Sequence, residues 1–416
     1  MRKKILFVIC DPWFKSPTDA APAIPLLILL MAGAMGGHSP NPGAVGFSRE
    51  KSVVQAPQVG WLYVLDNRVL FERGQIIVVS PVNLQVTKRI PTGFLPDFTL
   101  SPDGSRLFVI SSQPPSETDT LAVIDPLSTN VLDTQVVSHR MQYIARPGQT
   151  SMVVSADGRW LYIAKDRWTP GDDQKGIPQR DEYAVAMYDT QRRSFAKEDI
   201  PVSEDCHGMQ LVPSSIGLHV LCSSGNEVYS YPLTPSGLGP PQVVALPRNP
   251  RQVFDGSPTT VNTTVVHPHI AGAVAPPDGK TLTVVTSYMR VIQIDAVTDR
   301  IARVEQVRDD RWAMPSGIPS SPDGARIYVP VGPLSQLNRG PGVNEILVLD
   351  AGTLGQAATI HTTGPFWSLT ISKDGRYLYA VDPHTQTLYV IDAASGREVH
   401  KIAGLGAGPS RVAVGP

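Results

Sequence analysis

A short unit of sequence recurs along this chain and limits its fold more than any other feature. The unit consists of an apolar strand, a tight turn, a second strand, and a third strand that ends at an acidic residue. Asp-Gly between apolar alternations is a strong signal for a β-hairpin turn. The dipeptide stands at Asp103-Gly104, Asp157-Gly158, Asp278-Gly279, Asp323-Gly324 and Asp374-Gly375.

Two weaker copies complete the series. Ser214 to Gly217 fills the long gap between the second and third Asp-Gly turns, and Leu218 to Leu221 follows it as a strand. The first copy, Trp61 to Val64, begins at its second strand, while Gly408 to Val414 has the pattern of the missing innermost strand. The third strand recurs seven times, at Val123-Ile124-Asp125, Met187-Tyr188-Asp189, Gln293-Ile294-Asp295, Val348-Leu349-Asp350 and Val390-Ile391-Asp392, with Val78-Val79-Ser80 and Tyr229-Ser230-Tyr231 as degenerate copies.

This repeat predicts the fold class. Units of roughly 40 to 50 residues with about four strands each are typical of β-propeller blades. We therefore predict an all-β fold over residues 58–416, a seven-bladed β-propeller of four-stranded antiparallel blades. The C-terminal strand is expected to join the N-terminal blade and close the ring. Composition agrees, because 35 glycines and 39 prolines in 416 residues are too many for a helical protein.

The N-terminal region has a different character. Residues 1–34 are predicted to be a signal peptide or N-terminal leader, and residues 35–57, rich in Gly, Pro and Ser, a linker. The apolar run Ile24 to Met31 leads into Ala32-Gly33-Ala34, which fits a cleavage pattern of small residues, and it is too short to span a bilayer comfortably. An uncleaved anchor, an upstream start codon and a disordered apolar tail are the alternatives. Export predicts a periplasmic protein without a membrane span beyond the leader.

The balance of charges limits the kinds of partner that the chain is expected to bind. The chain has 36 basic and 37 acidic residues, and no basic run persists beyond its first residues, which argues against nucleic acid as a partner.

Cys206 and Cys222 flank the first hairpin of the fourth repeat, where adjacent strands could bring them within bridging distance. A disulfide and two buried free thiols are both open at this point.

Motifs of catalysis and cofactor binding are absent from the sequence. It has no Cys-x-x-Cys-His, Gly-x-Ser-x-Gly, Gly-x-x-x-x-Gly-Lys or His-Glu-x-x-His motif. His267 and His269 offer two imidazoles, but a catalytic zinc site usually needs three protein ligands, so no metal site is predicted. Asp172-Asp173 lies in a stretch interrupted by Gly and Pro, which favours a solvated loop over a calcium site.

Aromatic or imidazole groups recur in the segment that leads into the innermost strand. If the repeats stack as blades, these groups gather on one face around the channel mouth. They either cap the core between blades or form a surface that recognises a partner or ligand. The residues are Phe94, Tyr143, His207, His267, Trp312 and the pair Phe366-Trp367.

Several segments of the chain together carry a family pattern: Trp61 to Asp66, Ile76 to Val79, Gly93 to Pro96, Glu204 to Cys222, His267-Pro268 and the strand after Gly408-Pro409. They resemble the heavy chain of the quinone-dependent amine dehydrogenases (methylamine and aromatic amine dehydrogenase). The resemblance runs over about residues 60 to 416, and Gly93-Phe94-Leu95-Pro96 and the spaced cysteine pair are its more specific parts.

The resemblance implies a large, cofactor-free subunit of a periplasmic enzyme, with no catalytic residue and no metal in this chain. The tryptophan tryptophylquinone cofactor would belong to a separate disulfide-rich light chain. The resulting heterotetramer would oxidise primary amines to aldehydes and ammonia and pass electrons to a small copper protein. The resemblance also implies a Cys206–Cys222 disulfide. The expected substrate-entrance or partner-facing residues are Phe94, Leu95, Tyr143, His207, Trp312, Phe366 and Trp367.

Two other functions remain as alternatives. A stand-alone propeller of the YVTN type could bind a ligand or partner through its aromatic mouth. A lactonase-type hydrolase is the weaker alternative, since it would need a metal or an acid/base cluster at the channel, with His207, His267 and His269 as candidates.

Overall fold

The computed structural model of the protein describes residues 60–67, 72–112, 118–138, 150–169, 180–203, 206, 209–222, 226–234, 236–247, 270–336 and 342–415. Regular structure in these ranges is β-strand, apart from a short 3-10 helix at Leu334–Gln336. None of the helical structure in these ranges could cross a membrane. The predicted leader and linker lie outside the described residues, so both stay predictions.

The strands, all paired antiparallel, are numbered in chain order. The first sixteen are β1 (Leu62–Asp66), β2 (Arg73–Val79), β3 (Val86–Leu100), β4 (Leu107–Ser112), β5 (Thr118–Ile124), β6 (Val131–Ser138), β7 (Met152–Val154), β8 (Trp160–Thr169), β9 (Arg180–Asp189), β10 (Ser194–Phe195), β11 (Ile200–Pro201), β12 (Met209–Pro213), β13 (Gly217–Cys222), β14 (Glu227–Thr234), β15 (Gly237–Leu238) and β16 (Gln242–Ala245). The others are β17 (Ile270–Val274), β18 (Thr281–Thr286), β19 (Arg290–Asp295), β20 (Arg300–Gln306), β21 (Arg311–Ala313), β22 (Arg326–Pro333), β23 (Val343–Asp350), β24 (Gln356–Phe366), β25 (Ser368–Ile371), β26 (Tyr377–Asp382), β27 (Thr387–Asp392), β28 (Arg397–Ile402) and β29 (Pro409–Val414).

Strand pairing divides the described chain into seven blade-like units of four strand positions each. The first unit is β29, β1, β2 and the first half of β3, and the second is the rest of β3 with β4, β5 and β6. In the third and fourth units the outermost position is divided between two short strands. The remaining units are β17 to β20, β21 to β24 and β25 to β28. The prediction of an all-β propeller built from four-stranded antiparallel blades is confirmed.

Each described hydrophobic cluster is built from two consecutive units. Phe108 of the second unit packs in one cluster with Leu161 of the third, and Leu62 of the first unit packs in another with Tyr379 of the seventh. Both faces of a blade are therefore buried, which explains why its strands read as apolar runs. Since a single repeat cannot bury both faces by itself, the units depend on their neighbours for stability.

The two ends of the propeller sequence meet in the first unit. β29 pairs with β1 in a register that places Val414 opposite Leu62 and Val412 opposite Val64. The C-terminal strand therefore supplies the innermost position of the N-terminal blade, as the repeat pattern predicts.

A buried carboxylate holds the segment that leads into this closing strand. Asp66, at the end of β1, is fully buried and accepts hydrogen bonds from the Gly408 N–H at 2.8 Å and the Gln75 side-chain amide at 2.7 Å. The Ala407 N–H lies at 3.3 Å from the same carboxylate. Gly406 has a φ of 93°, and a Cβ there would lie 2.0 Å from Oδ2 of Asp66. The approach of the chain to Asp66 therefore requires glycine at this position.

Replacing Asp66 should weaken the closure of the ring. Asp66→Ala leaves the part-buried N–H of Gly408 and the side-chain amide of Gln75 without their charged acceptor, so we expect the free energy of unfolding to fall by about 3 kcal/mol. Urea unfolding followed by circular dichroism measures the change. The matched control is Asp278→Ala, an exposed turn carboxylate that accepts the Lys280 N–H at 3.1 Å. Equal losses in the two variants would show that closure does not depend on Asp66.

Candidate functional site

The acidic residues of the Asp-Gly turns have a structural task. Ser101 donates its hydroxyl to Asp103 Oδ1 at 2.6 Å, and the same oxygen accepts the Ser105 N–H at 3.0 Å. Gly104 has a φ of 68°, the left-handed conformation that glycine adopts without strain. The serine-to-aspartate contact recurs at 2.5 Å in the turns of Asp157, Asp323 and Asp374. These carboxylates stabilise turns.

The aspartate that follows or ends the third strand is engaged in the same way. Asp125 accepts the N–H groups of Leu127 and Ser128, and Asp295 accepts those of Val297 and Thr298. Hydrogen bonds with the Thr298 N–H and hydroxyl lower the pKa of Asp295. The acidic residues that recur most regularly in the sequence therefore accept hydrogen bonds within local turns. Aspartate suits such turns because its side chain can bond nearby backbone N–H groups.

Acid should destabilise the protein through these turns. The Ser101 hydroxyl, followed by the Ser105 N–H and hydroxyl, lowers the pKa of Asp103 to about 2, whereas an unfolded aspartate titrates near ~3.9. Because the folded pKa is the lower one, this stabilisation is complete above the unfolded pKa and is lost as pH falls through the folded pKa. We expect the melting temperature to drop between about pH 4 and pH 2, and the drop to be smaller in Asp103→Asn.

The control for this prediction is Asp278→Asn. In that turn Pro276 stands where the others have serine, so the variant should keep the acid sensitivity of the wild type. Melting curves at half-unit pH steps compare the three proteins. An unchanged acid response in Asp103→Asn would contradict the assignment.

Phe94 and Leu95 lie where β3 passes from the first blade-like unit to the second. Phe94 is opposite Arg73 of β2 and also opposite Ser112 of β4, with an irregularity in register immediately after it. Leu95 has a φ of 45°, a left-handed conformation that is uncommon for a residue with a branched side chain. Both residues are half-buried, and the Arg73 guanidinium lies 5.9 Å from the Phe94 ring centroid. Their role at a substrate entrance or partner surface stays a prediction.

The other described aromatic residues of the predicted site are buried. Trp312, on β21, is 4% exposed. Phe366, the last residue of β24, and Trp367, which follows it, are 0% and 8% exposed. The Trp367 ring contacts the His384 imidazole at 5.7 Å between centroids. Trp312 packs against Gly332, where a Cβ would come within 2.9 Å of its Nε1. In the chain by itself these rings pack between elements, in agreement with the capping interpretation that the sequence left open. A partner-facing role stays a prediction.

The remaining candidates lie outside the described residues. They are Tyr143, His207, His267, His269 and the Asp172-Asp173 pair. Over the ranges that the structure describes, no three His, Cys, Asp or Glu side chains are grouped closely enough to hold a metal ion.

The two cysteines form a disulfide. Cys206 precedes β12, Cys222 ends β13, and their Cα atoms lie 4.5 Å apart. Met209 and Cys222 are directly opposite in the β12–β13 ladder, which brings the segment before β12 beside the end of β13. The pairing is the one implied by the family resemblance.

Sequence reasoning missed a buried ion pair between the innermost strands of the first and second units. Nη2 of Arg411 lies 2.9 Å from Oδ1 of Asp97, and their side chains are 9% and 1% exposed. The sequence held one signal for this pair. Arg411 is the single charged residue of Pro409–Val414, and Asp97 is the single charged residue in the Asp97-to-Leu100 end of β3. Nothing in the sequence, however, indicates that the two meet.

A known protein family matches part of this chain. The model of the methylamine dehydrogenase heavy chain (MADH) family matches residues 285–414. This region runs from the end of β18 to the closing strand β29. Gly93 to Pro96 and the Cys206–Cys222 pair, on which the resemblance also rests, lie outside it. Comparison of the whole sequence with curated proteins returns no significant match.

Solved structures share the fold at low sequence identity. A functionally unknown protein from Desulfotomaculum acetoxidans DSM 771 has a TM-score of 0.58 and 16% identity, covering 86% of this chain and 99% of its own. The β-propeller domain of Myceliophteria thermophila Cps50 (Swd1) has a TM-score of 0.52 and 16% identity, covering 76% and 89%. Dihydro-heme d1 dehydrogenase NirN has a TM-score of 0.52 and 17% identity, covering 86% and 76%. At such identities the likeness establishes the propeller fold alone.

Proposed function

We propose that this chain is the large, cofactor-free subunit of a periplasmic, quinone-dependent amine dehydrogenase. The observation that carries the proposal is the match of the methylamine dehydrogenase heavy chain family to residues 285–414. That region includes β29, so it contains the strand that closes the ring as well as the last complete blade-like units. The resemblance of Gly93 to Pro96 and of the cysteine pair supports the proposal in the other half of the chain.

In this proposal the chain acts as a scaffold and as one wall of a substrate entrance. A separate light chain would carry the tryptophan tryptophylquinone and supply the redox chemistry that oxidises the amine, with a small copper protein as the electron acceptor. Phe94 and Leu95 contribute half-buried apolar surface at the junction of two blades, where a partner could cover them. An apolar ring at such a contact stabilises association through buried area.

The turn carboxylates support a scaffolding role for this subunit. Acid–base catalysis needs a carboxyl group within reach of the substrate and with a pKa near the working pH. The described turn aspartates instead accept local hydrogen bonds, and the pKa of Asp103, for example, is lowered to about 2. Asp103 therefore remains ionised at neutral pH and anchors its turn.

A stand-alone binding propeller is the second candidate. The family match does not include residues 60–284, and the likeness to solved structures extends to the propeller fold alone. A free-standing propeller would use the same Phe94 surface for a ligand or partner.

Purification from the native host distinguishes the two. We expect the mature chain to be recovered from the periplasm together with a small, cysteine-rich polypeptide that stains for a protein-bound quinone and reduces a dye in the presence of primary amines. Recovery of the chain alone under gentle conditions, with no quinone-staining partner, would overturn the subunit proposal and favour the binding propeller.

Phe94→Ala should then weaken the assembled enzyme. Loss of one ring at the entrance is expected to lower kcat/KM for the amine, or the affinity for the small subunit, about tenfold, which corresponds to about 1.4 kcal/mol. The control is Phe195→Ala on β10, whose ring packs on Tyr188 at 5.2 Å in the third unit. A Phe94→Ala enzyme that matches the control in both quantities would exclude Phe94 from the entrance.

A further inference from the structure

A buried ring recurs at one position of the repeat. It belongs to the residue that follows a buried Leu or Ile in the second strand of a unit, and it points toward the following unit. Phe108 packs in one cluster with Leu161 of the third unit, for example, and Tyr379 packs in another with Leu62 of the first. The rings, each at most 5% exposed, are those of Tyr63, Phe108, Tyr162, His219, Tyr328 and Tyr379.

The fifth unit lacks this ring. Thr283 follows Leu282 on β18, at the equivalent position, and is 1% exposed. It lies directly opposite Gln293 of β19. The fifth unit therefore has a short hydroxyl side chain in place of a ring and an amide in place of a small or apolar side chain. In the other units the residue opposite the ring is Val78, Val123, Met187, Ser230, Val348 or Val390.

A cavity lies on the side where the missing ring would point. Val285 and Val291 belong to the hydrophobic cluster of the fifth and sixth units. Thr283 and Gln293 lie two residues away from them on the same strands, so they are on the face that packs against the sixth unit. Both line a cavity of about 430 Å³. This volume is within the range of sites that bind small molecules.

The walls of the cavity combine apolar surface with polar groups. Pro276 and Pro322, from the turns of the two units, supply apolar surface. Gln293 donates its Nε2 to the Ala351 carbonyl at 2.7 Å, so its Oε1 is the part of the amide that can accept from a ligand. The Thr283 hydroxyl can donate or accept a hydrogen bond. A flat ring with one hydroxyl matches these groups.

The charges at the cavity disfavour an anion. Asp278 and Asp323 line it, and no basic side chain is among the described residues of its walls. Hydrogen bonds, above all from the Ser321 hydroxyl, lower the pKa of Asp323, which is therefore negative at neutral pH. An anionic ligand would be repelled, whereas a neutral hydrogen-bond donor would not.

We propose that this cavity binds a small neutral phenol such as p-cresol. p-Cresol is the free form of a tyrosine side chain, which other units place at this position themselves. A phenol titrates near ~10, so it is neutral at pH 7 and its hydroxyl can donate to Oε1 of Gln293. Space left by an absent side chain can bind a free ring. The site goes beyond the proposed subunit role, and its test needs this chain alone.

A ligand-observed NMR titration of the full chain with p-cresol tests the site. We expect saturable binding with a Kd of about 1 mM, because so small a ligand has few atoms with which to gain binding energy. Toluene keeps the ring but lacks the donor, so it should bind about fivefold more weakly. Benzoate, which is negative at neutral pH, should not bind measurably.

The matched variants place a new ring inside or outside the cavity. Thr283→Tyr restores the ring of the other units and fills the space, so p-cresol binding should be lost. Thr134→Tyr adds a ring at an exposed position of β6, the outermost strand of the second unit, and should leave the Kd unchanged. Circular dichroism confirms that both variants are folded.

Three results would overturn the proposal: no saturable binding to the wild type, an unchanged Kd in Thr283→Tyr, or toluene or benzoate binding as tightly as p-cresol. If Thr283→Tyr does not fold, a crystal structure of the wild-type chain soaked with p-cresol decides. A ring beside Thr283 with its hydroxyl within hydrogen-bond distance of Oε1 of Gln293 would support the site. A cavity without p-cresol in that crystal would exclude it.

Discussion

Closure of the ring by β29 is the constraint on which the rest of the structure depends. The clusters on either side of the first unit contain residues of β1 and β2, and the cluster shared with the seventh unit also contains Val412 of β29. Without the closing strand, the first blade would expose its innermost edge and part of both clusters to water. Asp66 holds the approach of this strand, and Arg411 connects it with the second unit. Asp66 and Arg411, both buried, thus act on the same junction.

Hydrogen bonding within turns explains why the described turn aspartates serve the fold. A propeller needs a tight turn wherever consecutive strands of a blade reverse, and aspartate is suited to these turns because its carboxylate accepts nearby backbone N–H groups. Asp103 and Asp295 illustrate the two kinds of turn. Carboxylates engaged in this way contribute to folding.

Phe94–Leu95 and Arg411 differ in how far they are exposed. Phe94 and Leu95 keep accessible apolar surface beside an irregularity in strand register, and Leu95 has a left-handed backbone conformation. Such a surface suits the proposed contact with a partner. Arg411 is nearly inaccessible and forms an ion pair with Asp97. The first is where we propose contact with a partner, whereas the second joins the first and second units.

The sequence by itself determined the repeat, the turns and the ring closure, because these depend on local patterns. Each of these features can be predicted from a few consecutive residues, and the structure confirms them. They include the Asp-Gly turns, the apolar strands and the innermost strand supplied by Gly408 to Val414. Only the tertiary structure decided that Trp312, Phe366 and Trp367 are buried while Phe94 is half-buried. It alone brought Asp97 to Arg411, since their contact requires the two ends of the propeller to meet. The physical reason is that burial and ion pairing depend on which distant strands become neighbours, and local periodicity does not encode that choice.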